Sequence, residues 1–284
     1  MRSFRDKVSA ITGAASGIGR ALAVDLAGRG SHLALSDIDT DGLAETVSLC
    51  EGRGVKVTSQ RVDVADRRAV FAWADEVVAD HGRVNLIFNN AGVAVVSTVE
   101  AVSYEDFEWL MGINFWGVVH GTKAFLPHLK ASGDGHIVNL SSIFGLMGIP
   151  GQSAYNAAKF AVRGFTDSLR IELEMEGACV SATTVHPGGI KTNIARRARM
   201  NDSLTALTGE ATSDVSDLGD QFNKIAMTTP EKAGRQILTA VERDRRRVLV
   251  GPDAKVIDLI ARLPAAAYQR PIIAAAKLGR RRRH

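Results

Sequence analysis

Residues 7–19 read Lys-Val-Ser-Ala-Ile-Thr-Gly-Ala-Ala-Ser-Gly-Ile-Gly. The run Lys7–Thr12 has the look of a buried strand, and its glycine-rich turn opens directly into a helix-length segment, Gly17–Gly30. Glycines at such a turn let backbone amides approach a pyrophosphate, and the helix N-terminus adds partial positive charge with no bulky side chain in the way. The turn therefore reads as a dinucleotide cradle built from Gly13, Ser16, Gly17, Ile18 and Gly19. Taken alone it is weak evidence, because the same pattern also serves simple strand–helix packing.

Outward from this turn the alternation continues. Strands are expected at Lys7–Thr12, His32–Asp37, Val55–Arg61, Val84–Asn89, His136–Ser141, Cys179–Val185 and Val248–Gly251. Between them Gly17–Gly30, Thr40–Gly52, Asp66–Gly82, Ser103–Ala131, Ser153–Gly177 and Pro230–Asp244 read as helices. In the third, Val70, Ala74, Val77 and His81 face inward, and Ser103 with Asp106 forms a capping-box pattern. Strand–helix repetition predicts an α/β fold, a parallel sheet with right-handed crossovers and helices on both faces. Val55–Arg61 alternates apolar with polar residues and belongs at an edge. Residues 191–229 lack strand signals and suit a mobile lid or a disordered insertion.

A length of 284 residues suits one large α/β domain, and 45% hydrophobic with 23% charged residues excludes disordered, collagen-like and coiled-coil chains. We place the main domain at 1–251, with 191–229 as the substrate lid, and a basic, apolar C-terminal helical extension at 252–284. Cys50 and Cys179 fit neither a disulfide framework nor a zinc-ligand spacing, so two buried thiols in a reducing, cytoplasmic setting and no metal are expected. No apolar stretch is long enough to span a bilayer.

At the end of the second expected strand, Asp37 can bind both hydroxyls of an adenosine ribose. It would repel a 2′-phosphate by up to about 4 kcal/mol at about 4 Å, roughly a thousandfold preference for NAD over NADP. Neutral Ser16 agrees with NAD; Asp39 or Thr40 is the expected cap of the next helix. Tyr155 and Lys159 stand four residues apart on one helical face. A tyrosine can exchange a proton with an alcohol only if its pKa falls from about 10, and an adjacent ammonium lowers it. Ser142, 13 residues earlier at a strand mouth, can hydrogen-bond a substrate carbonyl, with Ser141 as its competitor. Asn114 lies on the apolar stripe of its helix and must find partners: a backbone carbonyl at a kink, a water leading to Lys159, or both.

With these residues assembled, the chain resembles the short-chain dehydrogenase/reductase family from about Asp6 to Val250. The turn at 12–19, Asp63-Val64, Asn89-Asn90-Ala91-Gly92, Asn114, Ser142, Tyr155 to Lys159 and Pro187 to Thr192 occur in family order. The resemblance implies a seven-stranded Rossmann-like sheet of order 3-2-1-4-5-6-7 and hydride transfer with Tyr155 as acid/base. It implies that Lys159 binds the nicotinamide ribose and tunes Tyr155, that Ser142 orients substrate, and that Asn114 holds a relay water. Asp63 and Val64 would meet the adenine, and Asn90, Ala91 and Gly92 the adenosine side. Pro187, Gly188, Ile190 and Thr192 would meet the nicotinamide and its phosphate. A homodimer or homotetramer through the helices of Asn114 and Tyr155 is implied too; the residues themselves give apolar outer faces such as Phe160, Phe165 and Leu169. Asn85 departs from the family's usual Asp, which puts one supporting hydrogen bond in question.

Near the substrate, Val93, Val95, Ile143, Phe144, Leu146, Met147 and Ile149 make an apolar wall suited to a lipophilic alcohol or ketone, with Phe144 and Ile149 as substrate-binding residues beside Ser142 and Tyr155. Arg196, Arg197 and Arg199 on the lid could meet an acyl-carrier phosphate, although a solvated lid face is the blander reading. The competing activities are an NADPH-dependent 3-oxoacyl thioester reductase and a nucleotide-binding scaffold without turnover. Charge is uneven: Pro230–His284 holds 14 Lys and Arg against 5 Asp and Glu, the rest of the chain 21 against 26. Apolar residues such as Leu259, Leu263 and Ile273, flanked by Arg280–Arg283, can lie on an anionic membrane surface, pack on a subunit, or form a solvated end. Nucleic-acid binding is not expected, since the body is acidic and carries no reading motif.

Overall fold

In a computed structural model of the chain, which describes residues 3–204, 219–220, 224–262 and 267–281, the strand–helix alternation resolves into one parallel sheet covered on both faces. Its strands are β1 (Val8–Thr12), β2 (His32–Asp37), β3 (Val57–Arg61), β4 (Leu86–Asn89), β6 (Gly135–Leu140), β7 (Val180–Pro187) and β9 (Arg247–Val250). They run in the order β3-β2-β1-β4-β6-β7-β9, every neighbouring pair parallel. This is the expected doubly wound, Rossmann-like order, with half-polar β3 at the edge. Two further strands of two residues each, β5 (Val95–Val96) and β8 (Arg199–Met200), pair only with each other. β8 lies in the segment read as strandless, which is corrected here.

The helices are α1 (Gly17–Gly28), α2 (Thr40–Cys50), α3 (Arg67–His81), α4 (Tyr104–Met111), α5 (Gly117–Ala131), α6 (Ser153–Met175), α7 (Pro230–Glu242), α8 (Pro252–Ala261) and α9 (Gln269–Arg281). Successive strand residues feed opposite cores. Ile11, Leu33, Leu35 and Phe88 pack against α1, α2 and α7, while Ala10, Ala34, Ile87 and Ile137 pack against α3, α5 and α6. Each large side chain buried this way contributes about 2 kcal/mol. A one-residue slip of β1 or β2 would drive leucine and isoleucine into space shaped for alanine, so packing fixes the register.

Local signals set the helix ends. Asp39 caps α2 by accepting from Gly42 N, Asp66 caps α3, and Gly82 ends α3 at φ +76, where glycine alone is unstrained. Ser103 accepts from Asp106 N as expected, but the Asp106 carboxylate turns away to Arg199, so only half of the capping box forms. The segment expected as one helix, Ser103–Ala131, is interrupted by a π-turn at Gly112–Trp116 that carries Asn114.

Three expectations are corrected here. Leu169 is buried against the sheet because the inward stripe of α6 runs Val162, Thr166, Leu169, Leu173; Phe160 is the exposed residue of that set. His81 is only half-buried and bonds Thr58. Cys50 is buried, which pushes its thiol pKa up, but Cys179 is exposed just ahead of β7 and donates to the Lys130 carbonyl. Among the described residues no helix is long and apolar enough to cross a membrane. Val256, Leu259 and Ile273 of the extension are exposed, whereas Leu263, Pro264 and Arg282–His284 lie outside the described residues, as does most of 205–223.

Candidate active site

One cavity of about 630 Å³ opens at the carboxyl ends of the strands. Open parallel sheets bind ligands there, because successive loops diverge around the point where strand order reverses. Of the residues singled out from sequence, Gly13, Ser16, Gly17, Ile18, Asp37, Asp63, Val64, Asn90, Ala91, Gly92, Ser142, Phe144, Ile149, Tyr155, Lys159, Pro187, Gly188, Ile190 and Thr192 all line it. Gly19 and Asn114 stand just behind the wall.

The glycine turn is held from below by Asn90, whose Nδ2 donates to the carbonyls of Thr12 (2.9 Å) and Gly13 (3.0 Å). Gly13 has φ +67, and a Cβ there would fall 2.8 Å from the Ala91 backbone. A Cβ on Gly19 would lie 2.1 Å from the Gly13 carbonyl oxygen, so this glycine lets α1 close onto the turn rather than touching a ligand. At Gly17, φ +55, a Cβ would stand 3.1 Å from Thr192 Cγ2, so the first turn and the Pro187–Thr192 segment face each other across the cleft. The Asp37 carboxylate accepts from Ala15 N (2.9 Å) and Asp39 N (3.0 Å) at the same mouth. A bare glycine wall with a carboxylate at its ribose end fits a nicotinamide dinucleotide.

Opposite this cradle, the loop after β6 separates the two serines. Ser141 turns inward and its Oγ donates to the Lys159 carbonyl (2.7 Å). Ser142 faces the cavity, accepts from Phe144 N and hydrogen-bonds Tyr155. Alternation along extended chain sends the two hydroxyls to different partners, although both residues line the cavity. Behind Ser142 the buried His186 ring contacts the Ser142 carbonyl (2.9 Å) through Nδ1; a carbonyl only accepts, so Nδ1 carries the proton. Burial pulls His186 down to about 4.

α6 presents Tyr155 and Lys159 side by side, with Lys159 Nζ 5.5 Å from the phenol ring centroid and donating to the Leu140 carbonyl (2.9 Å). Burial pushes Tyr155 up to about 12, opposed by its Ser142 hydrogen bond, and pulls Lys159 down to about 8. In the protein by itself, desolvation of the phenolate wins and the phenol is held protonated; the lowering expected from sequence rests on Lys159 and a bound nicotinamide cation together. Asn114 clamps Val93, accepting from its N–H and donating to its carbonyl, both at 2.8 Å. The backbone-bonding alternative at a kink is therefore realised. A Cβ on Gly92 would sit 3.3 Å from Asn114 Oδ1 and 3.7 Å from Lys159 Nζ, so glycine is what lets these groups approach.

The wall beyond Tyr155 is largely apolar. Val93, Ile143, Phe144 and Ile149 line it as expected; Val95, Leu146 and Met147 do not. Val95 points into a core with Leu110 and Ala158 while its neighbours Ala94 and Val96 face the cavity, a strand alternation that sequence reading overlooked. Trp109, Ile113, Gln152 and Ile194 also line the cavity and were missed, since nothing local marks a helix or lid residue as facing a ligand. The arginines at 196, 197 and 199 are paired. Arg197 bridges Asp39 (3.1 Å), Arg199 bridges Asp106 (2.8 Å) and stacks on Trp109, and Arg196 pairs with Asp220. Asn85 fills the role left in question by accepting from Val8 N and donating to the Asp134 carbonyl.

The family model described as short chain dehydrogenase matches residues 7–203. The chain belongs to the short-chain dehydrogenase/reductase family. It is 52% identical over 274 residues, 96% of each chain, to the oxidoreductase SadH of Mycobacterium tuberculosis. It is 32% identical to the C alpha-dehydrogenase of Sphingobium sp., over 95% of this chain and 92% of that one. A short-chain dehydrogenase/reductase from Burkholderia phymatum, solved in complex with NAD, superposes with a TM-score of 0.82 at 32% identity, covering 95% of this chain and 97% of its own. The chain is thus an oxidoreductase of this family with a nicotinamide dinucleotide site.

Proposed function

We propose that the protein is an NAD-dependent dehydrogenase that moves hydride between NAD(H) and a lipophilic secondary alcohol or ketone. The observation that carries this reading is the convergence of Ser142, Tyr155 and Lys159 on one side of a cavity whose other side is a glycine cradle with Asp37 at its end. Gly13, Ser16, Gly17 and Ile18 would hold the pyrophosphate and Asp37 the adenosine ribose. Asp63, Val64, Asn90, Ala91 and Gly92 would surround the adenosine half, and Pro187, Gly188, Ile190 and Thr192 the nicotinamide half. Held there, the nicotinamide would supply the acceptor for hydride from the carbinol carbon or, reduced, its donor.

Tyr155 Oη takes the alcohol proton during oxidation and returns one to the carbonyl oxygen during reduction. Ser142 fixes the reacting oxygen beside that phenol. Lys159 keeps donors free after its bond to Leu140, and these can reach the nicotinamide ribose and stabilise the phenolate. The Lys159 ammonium, with the positive charge that bound NAD would bring, would supply the phenolate stabilisation that burial opposes. The apolar wall, including Phe144, Ile149 and Trp109, excludes water and favours an uncharged substrate. Apart from Asp37, Asp63 and Lys159, the ionic side chain lining the cavity among the described residues is Arg197, and its pairing with Asp39 counts against a phosphate-bearing thioester. Phe160 and Trp116, exposed near the α5 and α6 faces, support association into a dimer or tetramer.

The test is coenzyme reduction across sterols, terpenoid alcohols, long-chain alcohols and diols, with NAD and NADP side by side. Turnover of secondary alcohols with NAD favoured at least about a hundredfold is expected. Turnover with NADP alone, or confined to thioester substrates, would overturn the reading.

A further inference from the structure

We infer that Asp253, at the start of the C-terminal extension, is a positioning residue for the Pro187–Thr192 loop, so that chain beyond the last strand completes the coenzyme site. This rests on the proposed reading in which that loop receives the nicotinamide half.

The loop is held at successive backbone amides by three separate segments. Gly188 N donates to the Val250 carbonyl (2.9 Å), Gly189 N to Asp253 Oδ2 (2.6 Å) and Lys191 N to the Thr228 carbonyl (3.0 Å). Of these acceptors Asp253 is the side chain, and a charged one, so its bond is the strongest of the set. Gly251, at φ +99, turns the chain sharply after β9, and Pro252 starts α8, which brings Asp253 back over the end of β7. A Cβ on Gly188 would fall 2.2 Å from Asp253 Oδ2, and one on Gly251 2.6 Å from Oδ1. Two glycines therefore make room for this carboxylate as well as for the loop.

A second oddity sits at the same place. Asp253 Oδ1 and Thr228 Oγ1 are buried, have no hydrogen-bond partner among the described residues, and converge over Gly251. Leaving a buried carboxylate oxygen unpartnered is costly for folding, so stability alone gives a poor reason to place Asp253 there. The extension also reaches the other half of the site. The Tyr268 hydroxyl lies 3.8 Å from where a Gly148 Cβ would stand, next to cavity-lining Ile149.

The experiment is steady-state kinetics and NADH-fluorescence titration on the full chain for wild type, Asp253→Ala and Asp253→Asn, with thermal midpoints alongside. Asp253→Ala should raise KM for NAD and Kd for NADH about tenfold, with kcat at saturating NAD within about threefold and an unmoved pH profile. Asp253→Asn, whose amide oxygen still accepts from Gly189 N, should stay within about threefold of wild type. A lowered thermal midpoint with wild-type KM and Kd in Asp253→Ala overturns the inference, as does Asp253→Asn falling as far as alanine. If the alanine variant fails to fold, Asp253→Glu keeps the charge but displaces it by a methylene; a raised KM is expected, and a wild-type KM overturns the inference. Failure of wild type to bind NADH would sink the coenzyme reading itself, whereas wild-type binding with unaffected variants sinks only the role of Asp253.

Discussion

At the carboxyl ends of β1, β2, β6 and β7 polar groups face a cavity; at the amino ends of β6, β7 and β9 they are used up on one another. The Arg170 guanidinium, almost fully buried, bonds Glu174 and Asp244, and also Ser181 at the start of β7, while Arg246 joins Glu174. His136 meets the Thr183 hydroxyl (2.8 Å), which itself donates to the Arg245 carbonyl (2.6 Å), so His136 Nε2 is the donor. One end of the sheet spends its polar atoms on holding strands together, and the other keeps them for a ligand. Substitutions at the two ends should therefore separate: rate and coenzyme choice at one, stability at the other.

The sharpest way to break that division is Tyr155→Phe. Removing one hydroxyl that lines the cavity should lower kcat at least about a thousandfold, equivalent to about 4 kcal/mol, while NADH binding and the thermal midpoint stay near wild type. Surviving turnover would show that the proton moves elsewhere, and a collapsed midpoint would erase the contrast between the ends. Asp37→Ser comes next. It removes the charge that opposes a 2′-phosphate, and the NAD/NADP ratio of kcat/KM should relax about a hundredfold, below the thousandfold ceiling because solvent at the half-exposed mouth screens the repulsion. An unchanged ratio would take Asp37 away from the ribose. Because Asp37 also accepts from Ala15 N, NAD affinity itself should fall in the same variant.

The two ends also differ in how far sequence reveals them. The cradle declares itself locally, through a strand, a turn with Gly13, Gly17 and Gly19, and a helix start, since each glycine answers a steric demand within a few residues or from one neighbouring loop. Tyr155 and Lys159 are legible for the same reason, as helix spacing alone sets them side by side. Partners tens of residues or one layer away leave no such trace. Nothing around Asp253 announces that it meets Gly189, and nothing in Asp244 announces Arg170. At Asn114 sequence offered a kink as one alternative, but not its partner: Val93 is reached only when packing brings the two segments together. β8 escaped because two residues carry no periodicity. For Tyr155, spacing reports the neighbouring charge, while depth of burial, which dominates in the chain by itself, belongs to the assembled fold.

The smallest of these effects tests the amino end by pH. His136 is buried and pulled down to about 4, chiefly by desolvation, against about 6.5 when unfolded. Between those two values the unfolded chain binds the proton and the folded chain does not, so stability rises with pH across this window. The contribution is intact above about 6.5 and is lost as pH falls toward 4. Lowering the pH from about 7 to about 5 should thus cost about 2 kcal/mol through this one ring, with His186, at the opposite end and also near 4, adding a similar amount. In His136→Gln, whose amide can still donate to Thr183, denaturant unfolding at the two pH values should show a drop about 2 kcal/mol smaller than in wild type, with kcat/KM for NAD unchanged. An equal drop would mean that His136 stays neutral in neither state or titrates alike in both. A shifted kcat/KM would mean that the two ends of the sheet are coupled, and that strands braced at one end help to aim the loops at the other.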